Sequence, residues 1–347
     1  MKGPTRSFAS DNNSGVHPRV MRALEDANRD HVLAYGDDPY TEAARRRFKQ
    51  VLGEHAEAFF VFNGTAANVL GLASLVKPYH AVITSEWAHV AQDECGAPEK
   101  HLGTKLLLVA APDGKLTPER VAPHVKGLGD QHHVQPRVVS ITQSTELGTV
   151  YTPAEVRALA DYCHARGMFL HVDGARIANA AAALGVELRA ITTDAGVDVL
   201  SFGGTKNGLM FGEAVVLLRA GLADDFRFLR KQGMQLASKM RFVAAQFDAL
   251  LQDDLWRKSA EHANRMAKLL AAETTKVPGV KLARPVEANA AFPLLPARVA
   301  EALQKDWLFY PWDPARGEYR WVCSFDTTEA DVKAFVAALR DAMAKHG

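Results

Sequence analysis

Short runs of apolar residues recur through the first two thirds of the chain, separated by longer segments with helical spacing. The runs that predict buried strands are residues 58–62, 81–84, 106–109, 137–141, 168–172, 197–201 and 213–218. Continuous apolar runs of this length, bounded by turn residues, are typical of parallel strands that are covered on both faces. Because helix-length segments such as 153–165 alternate with these runs, we predict an α/β fold with a mostly parallel seven-stranded sheet.

The pattern changes near residue 226. Long helical stretches are followed there by shorter strands and helices, with predicted helices at 236–251, 257–272, 297–305 and 328–345 and predicted strands near 280–282, 290–292 and 319–322. The Pro- and Asp-rich residues 311–317 predict a loop. We therefore expect an N-terminal arm (1–15), a large α/β domain (16–250) and a smaller α+β C-terminal domain (251–347).

Composition narrows the class of protein. Hydrophobic residues make up 48% and charged residues 23% of the 347 positions, as in an ordinary soluble globular protein. A formal net charge of +1 argues against a nucleic-acid partner or a basic membrane surface. The opening residues lack the apolar core of a signal peptide, and no apolar stretch approaches the roughly 20 residues of a membrane span. The cysteines are scattered without metal-ligand spacing, so we expect a cytoplasmic protein without a metal site or a membrane partner.

Lys206 is the first candidate for chemistry. It directly follows the sixth apolar run and lies among Gly203, Gly204 and Gly208. Glycines allow the backbone to approach a ligand closely, and ligands bind at the carboxyl ends of strands in α/β sheets. An amine placed there could form a Schiff base with a carbonyl, whereas the alternative is a solvated loop lysine.

Asp173 is the second candidate, at the end of the fifth apolar run. Its carboxylate could cap the next helix, bind a metal, or pair with a ring nitrogen. We expect the side chain of His171 on the opposite face of the sheet, which argues against a metal pair. Lys206 follows after about one crossover connection, so both side chains are expected at the same crevice. A lysine that forms a Schiff base and an aspartate that faces a pyridinium nitrogen are the protein signature of pyridoxal phosphate.

Three further segments suit such a cofactor. Residues 62–68 place Gly and Thr between a strand and a helix, where free N–H groups attract phosphate, although a plain helix cap has the same pattern. His89 follows a strand, where its ring could stack on a flat cofactor. Arg176 comes one helical turn after Asp173, and its guanidinium suits a carboxylate or the oxygens of a cofactor; the alternative is a surface ion pair.

Three motifs together carry a resemblance to a known family. They are Phe-Ala-Ser-Asp-Asn at 8–12, Tyr-Gly-Asp-Asp-Pro at 35–39 and, most specifically, His-Val-Asp-Gly-Ala-Arg at 171–176. Across nearly its whole length the chain resembles the low-specificity L-threonine aldolases, which are fold-type I pyridoxal-phosphate enzymes of the β-eliminating lyase group.

The resemblance implies a role for each candidate residue. Lys206 would hold pyridoxal phosphate, Asp173 would pair with its ring nitrogen and His89 would stack on its ring. The residues implied for phosphate are Gly64 and Thr65, and those implied for the substrate are Arg176, Arg320, Ser10 and Tyr35. The basic segment 229–241 does not match the family's phosphate-binding Lys/Arg pair cleanly; Lys231 and Arg241 are our candidates for that role, and a solvated helix face is the alternative.

The implied reaction is cleavage of L-threonine and related β-hydroxy-α-amino acids, such as phenylserine, to glycine and an aldehyde. The alternative is another β-eliminating lyase or an aminotransferase on the same fold. The resemblance also implies a homo-oligomer, a dimer or a tetramer, with each site completed across the interface. The family's Asn-Thr-His triplet is absent here, where the chain has Gln-Ser-Thr-Glu-Leu-Gly at 143–148. The base therefore stays open between Glu146, His133, His89 and an ordered water.

Overall fold

The computed structural model describes residues 7–347, and its largest element is a seven-stranded sheet. The strand order is β1-β7-β6-β5-β4-β2-β3. The strands are β1 (Glu57–Val61), β2 (His80–Ser85), β3 (Lys105–Val109), β4 (Gln135–Thr142), β5 (Phe169–Gly174), β6 (Val199–Gly203) and β7 (Glu213–Leu217). The five strands β3, β2, β4, β5 and β6, which are neighbours in this order, are parallel to one another. Strand β7 is antiparallel to both β6 and β1. The predicted mostly parallel seven-stranded sheet is confirmed.

Helices cover both faces of this sheet. The α-helices of the described residues, of which α12 and α13 belong to the C-terminal part, are α1 (Pro18–Ala27), α2 (Pro39–Leu52), α3 (Gly64–Ala73), α4 (His89–Gln92), α5 (Ala97–Leu102), α6 (Pro118–Val121), α7 (Pro153–His164), α8 (Ile177–Leu184), α9 (Phe226–Gln232), α10 (Met240–Leu251), α11 (Leu255–Thr274), α12 (Ala297–Leu303) and α13 (Glu329–His346). On β6, Val199 packs into the core beside α3, whereas the next residue, Leu200, packs into the core on the opposite face. Both side chains are fully buried, which explains why the strands appear in the sequence as unbroken apolar runs.

The C-terminal part has a hydrophobic core of its own. Strands β8 (Lys281–Leu282), β10 (Pro293–Leu294), β11 (Tyr310–Asp313) and β12 (Glu318–Val322) form its sheet in the order β11-β12-β10-β8, and β9 (Ala290–Ala291) also pairs with β12. Helices α12 and α13 pack on this sheet. Helix α11 enters both cores, with Trp256 in the large one and Leu270 in the small one.

One prediction for this part was wrong. The first residues of the expected loop 311–317 belong to β11, where Tyr310 pairs with Arg320 of β12. Proline has no N–H to donate, but β11 is the edge strand of its sheet, so Pro311 is tolerated there.

The N-terminal segment is held against the C-terminal part. Phe8 donates from its N–H to the carbonyl of Leu308 at 2.9 Å and accepts from the N–H of Val322 at 2.8 Å. These bonds place residues 10–13 over the carboxyl edge of the large sheet. Residues 1–6 of the expected arm lie outside the described residues. Among residues 7–347, no helix combines the length and the apolar composition that crossing a bilayer requires.

Candidate active site

Asp173 and Lys206 lie together at the carboxyl edge of the large sheet. Strands β5 and β6 are neighbours, with Asp173 beside Ser201, and Lys206 follows β6 on a short 3-10 turn. Two adjoining cavities meet at this point, which we name the inner cavity, of about 280 Å³, and the outer cavity, of about 430 Å³. The residues that line both cavities are Asn12, Gly64, His89, Asp173, Ala175 and Lys206.

The glycines around Lys206 allow protein backbone to pack closely. A Cβ atom on Gly203 would collide with the backbone of Ala175, and one on Gly204 would collide with the side chain of Leu209. The sequence alone suggested close approach of a ligand. The structure shows instead that these glycines let β6 end tightly against the loop after β5, which fixes the position of Lys206.

The Lys206 amine is buried at the junction of the cavities. Burial, and then the nearby charge of Arg176, lowers the pKa of Lys206, which increases the fraction of reactive neutral amine. Glu213 lies close by on β7, where its Oε2 accepts a hydrogen bond from the Gly204 N–H at 2.6 Å. Burial raises the pKa of Glu213 to about 7. Beyond its place in a strand, no sequence signal marks Glu213 as a site residue.

A chain of buried hydrogen bonds joins Asp173 to His89. Asn68 Nδ2 donates to Asp173 Oδ2 and to Glu94 Oε1, each at 2.8 Å, and His89 Nδ1 lies 2.8 Å from the same Glu94 oxygen. The hydrogen bond to Glu94 is the largest cause of the raised pKa of His89. Asp173 Oδ1 also accepts from the N–H of Ala175 at 3.0 Å. Asp173 does not cap α8, which begins without a side-chain cap.

His171 lies on the same face of the sheet as Asp173, so its expected position on the opposite face was wrong. Residues two apart on a strand point to one side. The ring of His171 lies against Gly71 of α3, the helix that also carries the Asn68 partner of Asp173. It is buried between the hydroxyls of Ser140 and Ser201, at 2.9 Å and 3.0 Å. Burial lowers its pKa to about 4, so the ring is neutral and supports the sheet.

The first turn of α3 borders the inner cavity. Asn63 caps the helix, with its Oδ1 accepting from the N–H of Ala66 at 2.9 Å. The preceding N–H groups, of Gly64 and Thr65, have no partner within a helix. A Cβ on Gly64 would meet open space, since no atom lies within 4 Å. The helix therefore offers free donors and the positive end of its dipole to an anion in the inner cavity.

Two arginines border the outer cavity, and they differ in their partners. Arg176 binds the buried Asp11 with two hydrogen bonds, Nε to Oδ2 at 2.7 Å and Nη2 to Oδ1 at 2.8 Å. Burial alone would raise the pKa of Asp11, but the charges of Arg176 and Lys206 hold it below its usual value. Arg320 makes no such ion pair with the described residues 7–347: its Nε is buried without a hydrogen-bond partner among them, and its guanidinium lies 4.8 Å from the ring centre of Trp312.

Ser10 also lines the outer cavity, where its Oγ accepts from the N–H of Asn12 at 3.2 Å. The sequence indicated a surface ion pair as the alternative for Arg176. The pair exists, but it is buried, and its acid comes from the N-terminal segment.

Three residues implied by the resemblance lie outside both cavities within a single chain. Tyr35 is half exposed, and the Lys231 amine lies 5.5 Å from the centre of its ring. Arg241 donates from Nη1 to the carbonyls of Arg29 and Asp30. Their roles at the site therefore stay predictions.

Two of the candidate bases, Glu146 and His133, lie at opposite ends of the large sheet. Glu146 lines the outer cavity, and its Oε1 accepts from the His89 N–H and from Thr142 Oγ1, each at 2.8 Å. His133 lies before β4, at the amino end of the sheet, where its exposed ring pairs with Asp130. The interpretation of His133 as a base was wrong, because amino ends of parallel strands face away from the site.

Known proteins resemble this chain in sequence and in fold. The family model of the β-eliminating lyases matches residues 7–296. A low-specificity L-threonine aldolase from Pseudomonas aeruginosa is 48% identical, and the match covers 98% of this chain and 99% of that protein. The chain belongs to the β-eliminating lyase family. A solved structure of threonine aldolase from Leishmania major superposes with a TM-score of 0.91 at 31% identity, over 96% of this chain and 98% of that one. The sequence-based assignment to the family is confirmed.

The fold by itself is shared more widely. A ureidoglycine–glyoxylate aminotransferase from Bacillus subtilis superposes with a TM-score of 0.70 at 16% identity, over 100% of this chain and 95% of that one. The reaction must therefore be argued from the site and from the close relatives rather than from the sheet.

Proposed function

We propose that the protein is a pyridoxal-phosphate-dependent carbon–carbon lyase. It cleaves L-threonine, L-allo-threonine and related β-hydroxy-α-amino acids, such as phenylserine, to glycine and an aldehyde. The observation that carries this proposal is the shared cavity of Lys206 and Asp173, at the ends of adjacent strands and beside the first turn of α3. The 48% identity to an L-threonine aldolase over nearly the whole chain supports cleavage of the Cα–Cβ bond of the substrate.

The inner cavity has the groups that pyridoxal phosphate requires. Lys206 Nζ has no hydrogen bond or ion pair with any residue in 7–347, so the buried amine is available to hold the cofactor aldehyde covalently. Asp173 would pair with the ring nitrogen, and His89 would stack on the ring. The N–H groups of Gly64 and Thr65 would bind the phosphate. When bound, the cofactor supplies an electron sink for the bond that breaks at the substrate Cα.

The outer cavity supports binding of the amino-acid substrate. Arg320 would take the substrate carboxylate, because its guanidinium borders the cavity and its buried Nε has no hydrogen-bond partner among residues 7–347. Arg176 is held by Asp11 and would contribute its remaining N–H groups to the carboxylate or to a cofactor oxygen. Ser10 would add a hydroxyl. Fixing the carboxylate sets which bond at Cα is aligned for cleavage, since position selects among the reactions open to one cofactor.

A second copy of the chain would complete the inner cavity. Phe62 and Phe211 line this cavity and are both 37% exposed, and Met210 beside them is 44% exposed. Large apolar side chains around a site indicate a surface that another protein covers. We propose a homo-oligomer, a dimer or a tetramer, in which a neighbouring subunit brings Tyr35 and the basic residues Lys231 and Arg241 to the site.

Sedimentation of the purified holoenzyme tests this assembly. We expect a dimer or a larger species at assay concentrations, and Phe211→Glu should shift it towards monomer and lower activity, because a carboxylate would be buried at the interface. An enzyme that sediments as a fully active monomer would contradict the proposal. Action in the cytoplasm stays a prediction from the sequence.

The reaction itself is tested with L-threonine. We expect equal amounts of glycine and acetaldehyde from the purified holoenzyme, and glycine with benzaldehyde from phenylserine. Release of ammonia with a 2-oxo acid would instead identify an eliminating lyase. Amino transfer to a 2-oxo acid would identify an aminotransferase. Either result, without glycine, would overturn the proposal.

A further inference from the structure

Glu146 places a carboxylate at the wall of the outer cavity, in the loop that follows β4. Two other residues donate hydrogen bonds to this carboxylate, and both bonds end on Oε1, from the His89 N–H and from the Thr142 hydroxyl. These two donors fix the side chain from different segments. Oε2 accepts neither of these bonds, and the side chain lines the cavity that Arg320 and Lys206 also line.

The surroundings of Glu146 suit a group that exchanges a proton near neutral pH. Burial, and then the charge of Asp173, raises the pKa of Glu146 to about 7. General bases work best when their pKa lies near the working pH. Besides Asp173, the ionisable side chains of the described residues that interact with Glu146 are those of Tyr151, Arg176 and Arg320. His89, at the start of α4, contacts Glu146 through its backbone N–H.

His89 is less suited to accept the proton. Its Nδ1 is bonded to the buried Glu94, which raises its pKa and favours the charged ring. A charged imidazolium has no free lone pair. Its backbone N–H, in contrast, already serves to hold Glu146.

We propose that Glu146 is the catalytic base that takes the proton of the substrate β-hydroxyl; this inference rests on the proposed function. The hydroxyl proton moves to Oε2, and the O–H electron pair forms the carbonyl of the departing aldehyde. The Cα–Cβ pair remains with the amino-acid half, which then takes up one proton at Cα to give glycine. The proton released from the hydroxyl balances the one taken up, so the reaction needs no further reactant.

Glu146→Gln tests the assignment while keeping the size of the side chain. We expect kcat for L-threonine to fall about 10²-fold or more, the typical contribution of a general base. Glu287→Gln is the matched control, because Glu287 Oε2 accepts from the Val150 N–H in the same loop without lining either cavity. The control should change kcat by less than about twofold, since it touches no reacting group.

Two further measurements separate a base from a structural residue. Exchange of the glycine Cα proton for deuterium needs no β-hydroxyl, so Glu146→Gln should retain it, together with the visible absorption of bound cofactor. In the wild-type enzyme, kcat should decrease as the pH is lowered through about 7, because the carboxylate of Glu146 becomes protonated. This decrease should be absent from the variant. The wild-type limb can be measured whether or not the variant folds.

Each outcome has a distinct meaning. If the wild-type enzyme releases no aldehyde from L-threonine, the proposed function fails. If the wild-type enzyme is active and Glu146→Gln keeps kcat within about threefold, only the assignment of Glu146 fails. Equal losses of cleavage and of deuterium exchange would also overturn it, because the residue would then act on more than the hydroxyl.

Discussion

Lys206→Ala should abolish the absorption of covalently bound pyridoxal phosphate and lower kcat for L-threonine by more than about 10³-fold. The reason is geometric as well as chemical. The amine is fixed on a short turn by the close contact of Gly203 with the backbone after β5. Its pKa is lowered by burial, so that it reacts readily with an aldehyde. The measurement is the visible spectrum of the purified protein before and after addition of cofactor, followed by the aldehyde assay.

Two variants control this experiment. Lys206→Arg keeps the positive charge, but a guanidinium stays protonated and cannot form the Schiff base. This variant should therefore lose the absorption as well. Lys115→Ala removes another lysine that is mostly buried, with 15% of its side chain exposed, and should retain the absorption. A Lys206→Ala protein that still holds cofactor after borohydride reduction and denaturation would show that a different amine carries it.

Asp173→Asn should retain cofactor but lower kcat by about 10²-fold or more, because the amide no longer provides a negative charge for the ring nitrogen. The change also places an amide against Asn68, whose Nδ2 now donates to Asp173 and to Glu94. Steady-state kinetics with L-threonine and the spectrum of the bound cofactor are the measurements.

Asn68→Ala separates these two effects. It keeps the carboxylate of Asp173 and removes only one of its donors, so its kcat should fall by less than that of Asp173→Asn. Unfolding temperatures would identify any general loss of stability. If Asp173→Asn were as active as the wild-type enzyme, the carboxylate would have no role in the reaction.

The sequence predicted the sheet and the central pair of residues for a simple physical reason. Strands buried on both faces leave unbroken apolar runs, and the carboxyl ends of neighbouring parallel strands meet at one edge. Asp173 and Lys206 could therefore be brought together without coordinates. The boundary expected at residue 250 stays a prediction, because α11 packs into both cores.

The partners of these residues could not be predicted, because each depends on contacts between distant segments. Asn68 meets Asp173 only through the packing of α3 against the sheet, and Glu94 is joined to Asp173 only through Asn68. Asp11 reaches Arg176 from the far end of the chain. Trp312, in the segment predicted as a loop, lines the outer cavity. Hydrophobic patterns indicate which segments are buried, but they do not indicate which polar groups face one another.

Asp11 has a consequence for how the two halves of the enzyme are spaced. Its carboxylate accepts from Arg176, which follows a strand of the large sheet, and from Asn289 of the C-terminal part, at 3.1 Å to Oδ2. The Phe8 backbone is bonded to the C-terminal part only three residues earlier. A short stretch of chain thus ties the two cores together, and we expect that loss of the Asp11 carboxylate would loosen Arg176 and the C-terminal part at the same time.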